Sequence, residues 1–477
     1  MDTSSSIISL PSLNDLYFGS CNEGLLKSLV NLTSLTALVI EDVAELTCLN
    51  HEFTSSLIKL EKLEISSCEK LIHLWQDRDV TRNLISLKSL LVNSCPRLIS
   101  FVAKEGDVEL PGNLETIDLR NCFNLETLPS KMHVLSSLKG LAIKKCPKLV
   151  SFPDTGIPTS LMSLDINHCK MLQFLPRGLS IQLDELSSNS SGNHSGMMPC
   201  LQELRIFGCD SLPTSPFGKG RFSLGSLRRL TIGNCKEVES LMEINLDHLP
   251  SLEVTKILDC KNLRSLPQGL HTLSHLTSLV LDRCPDLELQ CFPPLPPSIS
   301  SLWFSWCPKI KSLPNQLHRL TYLRVLIISW CESITSFPHG GLPPQLQTLR
   351  IWGCRNMKQP VREWLTPLTS LQYLRIDGSV GRVGEEKDLL LPLPPSLLHL
   401  EIKDMLNVER LSSKLPPSLQ TLLIYDCPKL RELPQDGLPP TLGELWIERC
   451  RILKERCSTL TGCYWHLIRE IPQVTSR

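Results

Sequence analysis

Thiols are the reactive groups this chain has in excess: it carries 20 cysteines among 477 residues. Fifteen of them recur in one sequence setting: Cys21, Cys68, Cys95, Cys122, Cys146, Cys169, Cys209, Cys235, Cys260, Cys284, Cys307, Cys331, Cys354, Cys427 and Cys450. Thiols can hold zinc, pair as disulfides or act as nucleophiles. Zinc sites need closely paired ligands such as Cys-x-x-Cys, and the chain has no such pair. The histidines are scattered through turn-like segments, and no H-E-x-x-H, G-x-S-x-G or phosphate-cradling G-x-x-x-x-G-K-[ST] occurs. Gly218-Lys219-Gly220 reads as a turn. We therefore expect no catalysis, no metal and no cofactor, and look for a structural reason behind the cysteine spacing.

That reason is the run from Leu419 to Pro434, LQTLLIYDCPKLRELP. Its apolar residues Leu419, Leu422, Ile424, Cys427, Leu430 and Leu433 stand at offsets 0, 3, 5, 8, 11 and 14. Neither the helical nor the strand period fits throughout. The step of two marks a short strand and the steps of three mark a chain turning corners, which is one coil of a leucine-rich repeat. A single coil has an edge it cannot bury alone, so copies must stack on it. Repeats open at Leu13, Leu35, Leu60, Leu87, Leu114, Leu138, Leu161, Leu201, Leu227, Leu252, Leu276, Ile299, Leu323, Leu346, Leu371, Leu397, Leu419 and Leu442. These 18 marks are 22 to 27 residues apart, with one gap of 40. The expected fold is an α/β solenoid, a leucine-rich-repeat horseshoe with a parallel concave sheet and an irregular, proline-rich, helix-poor convex side.

The fifteen cysteines occupy offset 8. Coils stacked about 4.8 Å apart would line them into a column. In-register side chains keep Cβ atoms near that spacing, wider than the roughly 3.8 Å of a disulfide. They are read as small buried hydrophobes whose S–H reaches a neighbouring backbone carbonyl. Val43 and Met405 at the same offset fit the packing role, and Ser379 fits the donor role.

Lysine plus arginine and aspartate plus glutamate both number 49, a balance without the excess of a nucleic-acid binder. No apolar run is long enough to span a bilayer, and MDTSSSIISLPSL lacks the build of a secretory signal. The expected compartment is the cytoplasm or nucleus. Residues 1–12 read as the end of an upstream coil or an incomplete cap, so the chain is expected to be a fragment or truncated product. Residues 13–456 read as the solenoid, with a mobile loop at 187–198 (SSNSSGNHSGMM), and 457–477 as a C-terminal cap. Leu-Pro or Phe-Pro steps close many coils, because proline fixes φ and lacks an N–H. Outer segments of the form Leu-Pro-Pro-Ser/Thr-Leu should be extended, while GLHTLSHL and QLHRLTYL suit a turn or two of helix.

These features together resemble one family. Cysteine at offset 8, Leu-Pro closings, Leu-Pro-Pro-Ser-Leu turns and the junctions Cys146-Pro147-Lys148-Leu149 and Cys427-Pro428-Lys429-Leu430 are similar to the repeat region of plant intracellular nucleotide-binding leucine-rich-repeat disease resistance proteins, particularly the coiled-coil class. The tail is similar to that family's closing segment at Lys454-Glu455-Arg456-Cys457, Gly462, Trp465-His466, Ile468 and Ile471-Pro472, but has Cys463-Tyr464 where an acidic residue usually precedes the tryptophan. The resemblance implies a recognition and autoinhibition module. Its partner would be a pathogen effector, a guarded host protein or the nucleotide-binding module of a full-length relative; no nucleic acid or membrane is implied. ATP binding is not carried over, because the phosphate loop is missing from this sequence. The alternative is a set of substrate-recognition repeats from a ubiquitin-ligase receptor.

In such coils offsets 4, 6 and 7 point away from the core. Trp303, Trp306, Trp330 and Trp352 fall there in three successive coils, and Trp446 further on. Arg350 and Arg375 share offset 4 on neighbouring coils. Clustered tryptophan flanked by arginine has the composition of an interface hot spot. Rings lying flat to cover the sheet backbone would read the same way. Arg120, Lys144 and Lys145 read as a solvated basic face.

Overall fold

The computed structural model describes residues 8–76, 82–103, 110–176, 200–213, 224–241, 246, 249–458 and 462–476. The segment 187–198, expected to be a mobile loop, lies outside the described residues. The chain divides into two compact units, Met1–Leu252 and Glu253–Arg477.

A five-residue strand begins two residues after every repeat mark. In the first unit these are β1 (Asp15–Gly19), β2 (Ala37–Glu41), β3 (Lys62–Ser66), β4 (Ser89–Asn93), β5 (Thr116–Arg120), β6 (Gly140–Lys144), β7 (Ser163–Asn167), β8 (Glu203–Phe207) and β9 (Arg229–Gly233). They form one parallel sheet in sequence order. The second unit continues with β10 (Val254–Leu258), β11 (Ser278–Asp282), β12 (Ser301–Ser305), β13 (Val325–Ser329), β14 (Thr348–Trp352), β15 (Tyr373–Asp377), β16 (His399–Lys403), β17 (Thr421–Tyr425) and β18 (Glu444–Glu448). These also pair in sequence order and in parallel. The tail contributes helices Arg451–Arg456 and Trp465–Ile468 and then β19 (Gln473–Ser476), which adds to the sheet beside β18. This is a leucine-rich-repeat solenoid.

Residues at the same offset pair across strands, for example Leu422 with Leu445 and Ile424 with Ile447. Strand alternation sends offsets 3 and 5 into the core and offsets 2, 4 and 6 to the other face. Leu419, Leu422, Ile424, Cys427 and Leu430 are fully buried and Leu433 nearly so. Every coil but the one with Gly378 leaves its strand through a left-handed residue at offset 7, with φ between 47° and 67° at Ser20, Asp42, Asn121, Asn234, Asp259, Gly353 and Asp426 among others. This turn aims the offset-7 N–H at the offset-6 carbonyl of the next coil, as in Asp42 to Ser66 (3.0 Å) and Asp426 to Glu448 (3.1 Å). Asp, Asn, Ser and Gly predominate there, and Asp, Asn and Gly adopt that conformation at least cost.

Fourteen of the fifteen offset-8 cysteines are buried as their offset suggested, and Cys21 in the first coil is half-buried. Cys331 is fully buried and donates to the Ser329 carbonyl at 3.4 Å; Cys307 donates to Ser305 at 3.2 Å and to Leu281 of the previous coil at 3.8 Å. All twenty are free thiols. Burial pushes the Cys331 and Cys354 thiols up to about 12, so both stay neutral. Val43 and Met405 are likewise fully buried. Ser379 keeps the expected donor role but not the buried position or a backbone acceptor. It is half-buried and donates to the Asp377 carboxylate at 2.5 Å, while Val380 takes the core position. The cause is the tight turn around Gly378, where an added Cβ would lie 2.3 Å from the Asp404 carbonyl, and which shifts the buried position by one residue.

The outer turns also have a physical logic. In Leu-Pro-Pro-Ser/Thr-Leu the second proline suits the turn that Leu397 N–H closes onto the Pro394 carbonyl at 3.1 Å. The hydroxyl then donates to a carbonyl of the previous coil: Ser396 to Leu371 (2.8 Å), Ser418 to Leu397 (2.9 Å), Thr441 to Leu419 (2.8 Å). The segments expected to make a turn or two of helix form single 3-10 turns at Leu270–Thr272 and Leu317–Arg319.

Candidate recognition face

On the second unit, the offset-4 residues run in register from Trp303 to Ile327, Arg350, Arg375, Glu401, Leu423 and Trp446. Trp303 is 40% exposed, whereas Ile327 beside it is buried. Trp306 and Trp330 occupy offset 7 with φ of 50° and 52°, a backbone state that bulky residues rarely adopt. Their rings stack, with centroids 4.8 Å apart and planes at 18°. Trp306 remains 50% exposed. Trp330 is half-buried because its indole lies over Gly353, where an added Cβ would sit 2.7 Å from the ring. Small residues fill offset 6 alongside: Ser305 and Ser329 are buried, and the Ser329 hydroxyl donates to Ser305 at 2.9 Å.

Trp352 belongs to a second, polar part of the face. The Arg375 guanidinium lies 4.3 Å above its ring and the Arg350 guanidinium 4.4 Å above that of Tyr373. Arg375 Nη1 is 3.3 Å from Glu401 Oε1, and the Tyr373 hydroxyl donates to Glu401 Oε2 at 3.0 Å. Burial, followed by the Glu401 charge, raises the Tyr373 phenol above its ordinary value. The Nε atoms of both Arg350 and Arg375 are buried without an acceptor. The sheet ladder is altered here, since the Gly353 N–H goes to the Asp377 carboxylate at 2.8 Å and not to a backbone carbonyl.

The structure thus brings Trp303, Trp306, Trp330, Trp352, Arg350 and Arg375 onto adjacent strands β12 to β15 and their offset-7 turns. It does not bring Trp446 to them. Trp446 stands six strand steps from Trp303, roughly 29 Å at ~4.8 Å per step, and donates its indole N–H to Glu448 at 3.2 Å. Tyr373, Glu401 and Ile327 belong to the face and were missed, Tyr373 because offset 2 shares the face with offsets 4 and 6. The basic group on the first unit is matched by neighbouring acids: Arg120 pairs with Asp118, and Lys144 with Asp165 at 2.7 Å. Among the described residues no group of His, Cys, Asp and Glu could hold a metal ion, and no helix is long and apolar enough to cross a membrane.

No family model matches the chain. A disease resistance protein of Arabidopsis thaliana is 31% identical over 364 residues, which is 73% of this chain and 22% of that protein. The TMV resistance protein N of Nicotiana glutinosa is 27% identical over 198 residues, 40% of this chain and 17% of that protein. Its relatives in sequence are plant disease resistance proteins. The chain spans about a fifth of the length of these relatives, 22% and 17%. Among solved structures, the circular leucine-rich-repeat protein CroV588 is similar with TM-score 0.49 and 17% identity, covering 87% of this chain and 63% of that one. A TLR13 chain solved in complex with single-stranded RNA has TM-score 0.48 and 19% identity, covering 100% and 73%.

Proposed function

We propose that this chain is a non-catalytic protein-recognition module of plant innate immunity, which captures its partner on the face formed by Trp303, Trp306, Trp330, Trp352, Arg350 and Arg375, with Trp446 at the periphery. The partner is a pathogen effector, a guarded host protein or the nucleotide-binding module of a coiled-coil-class relative, met in the cytoplasm or nucleus. One observation carries this reading. Trp306 holds a large apolar ring half in water at a left-handed position that Asp, Asn, Ser or Gly fills in most other coils. Packing alone does not call for a tryptophan there, and a partner that buries the ring does.

The test is a photo-crosslinker introduced at Val325, a half-buried residue of the same face, in chain expressed in leaf tissue. A protein should crosslink there and not from a probe at Ser67, and the yield should collapse in Trp303→Ala with Trp306→Asn. Equal crosslinking from both probes, or a yield indifferent to the two substitutions, overturns the proposal.

A further inference from the structure

We infer that the partner segment seated on this face presents a carboxylate to Arg350 beside a large apolar side chain lodged against Trp303. The inference rests on the face being the recognition surface and adds the chemistry it selects. The two arginines of the offset-4 row are not equivalent. Arg375 has its carboxylate, Glu401 at 3.3 Å, and lies over Trp352. Arg350 lies over Tyr373 and makes no ion pair among the described residues; a buried Nε without an acceptor is common to both arginines, so the missing carboxylate is what sets Arg350 apart.

Tyr373 covers one side of the guanidinium and Nε is buried, so the two Nη groups are what remains to form forked hydrogen bonds, a geometry that suits a carboxylate. Register then sets the neighbour. Arg350 pairs with Ile327 and Ile327 with Trp303, so an exposed indole stands two strand steps, ~10 Å, from the cation. A segment meeting both carries an acidic and a large apolar side chain close together. The surroundings are mixed in sign, since Asp282, Glu401 and Asp404 lie beside Arg283, Arg375 and Lys403, so the face lacks the single-sign field that a polyanion such as nucleic acid needs. A single carboxylate enters such a setting more readily than a row of phosphates.

The probe is a library of random twelve-residue peptides selected on the full chain, followed by synthesis of the most enriched one. Enriched peptides should carry Asp or Glu within about two residues of Trp, Phe, Leu, Ile or Met. Changing that carboxylate to its amide should weaken binding at least about 30-fold, as should Arg350→Gln. The peptide-side change leaves the protein untouched, so it decides the matter even if Arg350→Gln disturbs folding. A peptide with lysine in place of the acid should bind Arg350→Glu in preference to the parent chain.

If Trp303→Ala with Trp306→Asn abolishes binding while the amide peptide binds unchanged, the carboxylate inference is wrong and the recognition face stands. If peptides bind without regard to any of these residues, or none is enriched, both fail. Tighter binding of a single-stranded RNA oligomer than of the peptide, lost in Arg350→Gln, overturns the inference in favour of phosphate. Concentration-dependent dimerisation that the peptide does not displace overturns it in favour of a second copy.

Discussion

Replacing Trp306 by asparagine separates a ring kept for a partner from a ring kept for the fold. The half of the indole that is covered contributes about 2 kcal/mol by buried area, of which asparagine recovers part. Against this, asparagine relieves a left-handed backbone that costs an ordinary L-residue roughly 1–2 kcal/mol. The two nearly offset, and the expected net loss is at most about 1 kcal/mol. Trp306→Ala loses the ring and keeps the strain, so it should be the less stable of the two by about 1 kcal/mol. Two residues earlier, Phe304 is fully buried, and Phe304→Ala should cost about 3–5 kcal/mol. The assay is urea unfolding followed by far-ultraviolet circular dichroism, compared as midpoints at constant slope because a solenoid need not melt in one step. The order of stability should be wild type, Trp306→Asn, Trp306→Ala, Phe304→Ala. An asparagine variant as unstable as Phe304→Ala would make the indole a structural cover for the sheet. An alanine variant matching asparagine would refute the backbone reasoning.

Iodoacetamide at pH 8 should modify Cys200, Cys291 and Cys463, the exposed thiols, in the folded protein and all twenty in urea. At that pH a thiol raised to about 12, such as Cys331, is thiolate at only ~1 part in 10,000. The raised thiols also set a pH limit: the neutral form is the folded one, so their contribution is complete below the ordinary value of 9.0 and is lost as pH rises from there towards about 12. The urea midpoint should therefore fall through that window, and less steeply in Cys331→Ala, which itself costs about 1 kcal/mol. Gly353→Ala should displace Trp330, whose ring lies 2.7 Å from the added Cβ, lowering stability by about 1–2 kcal/mol and red-shifting tryptophan emission.

The coil was legible in the sequence because its core is one-dimensional. Offsets 0, 3, 5, 8, 11 and 14 each answer to burial within the same coil, so Leu419 to Leu433 alone declares strand, corner and core. The recognition face was legible only in outline. Trp303, Trp306, Trp330 and Trp352 could be placed on it, but not the stack of Trp306 on Trp330 or the seat of Trp330 over Gly353. Those contacts join residues 24 and 23 positions apart and depend on register and on the left-handed turn. Glu401 looked like any charged residue until register set it beside Arg375. Ser379 was misplaced because the glycine turn at Gly378 slips the buried position onto Val380, a one-residue shift that no spacing rule anticipates.

In-register stacking has a consequence for how such a face can change. Most coils offer their neighbours nearly the same core, leucine or isoleucine at offsets 0, 3 and 5 and cysteine at 8, with exceptions such as Thr255, Phe304 and Met405, so one coil is close to interchangeable with another as a building block. Removal of the 23 residues from Leu323 to Gln345 would join Leu302 to Leu349 and Cys307 to Cys354 with no new kind of internal contact. On the outside the same excision would set Trp303 directly against Arg350 and Trp306 over Gly353. Duplication or loss of a whole coil thus re-spells the binding surface while leaving the interior unchanged, and specificity can move in steps of one strand without a passage through misfolded forms.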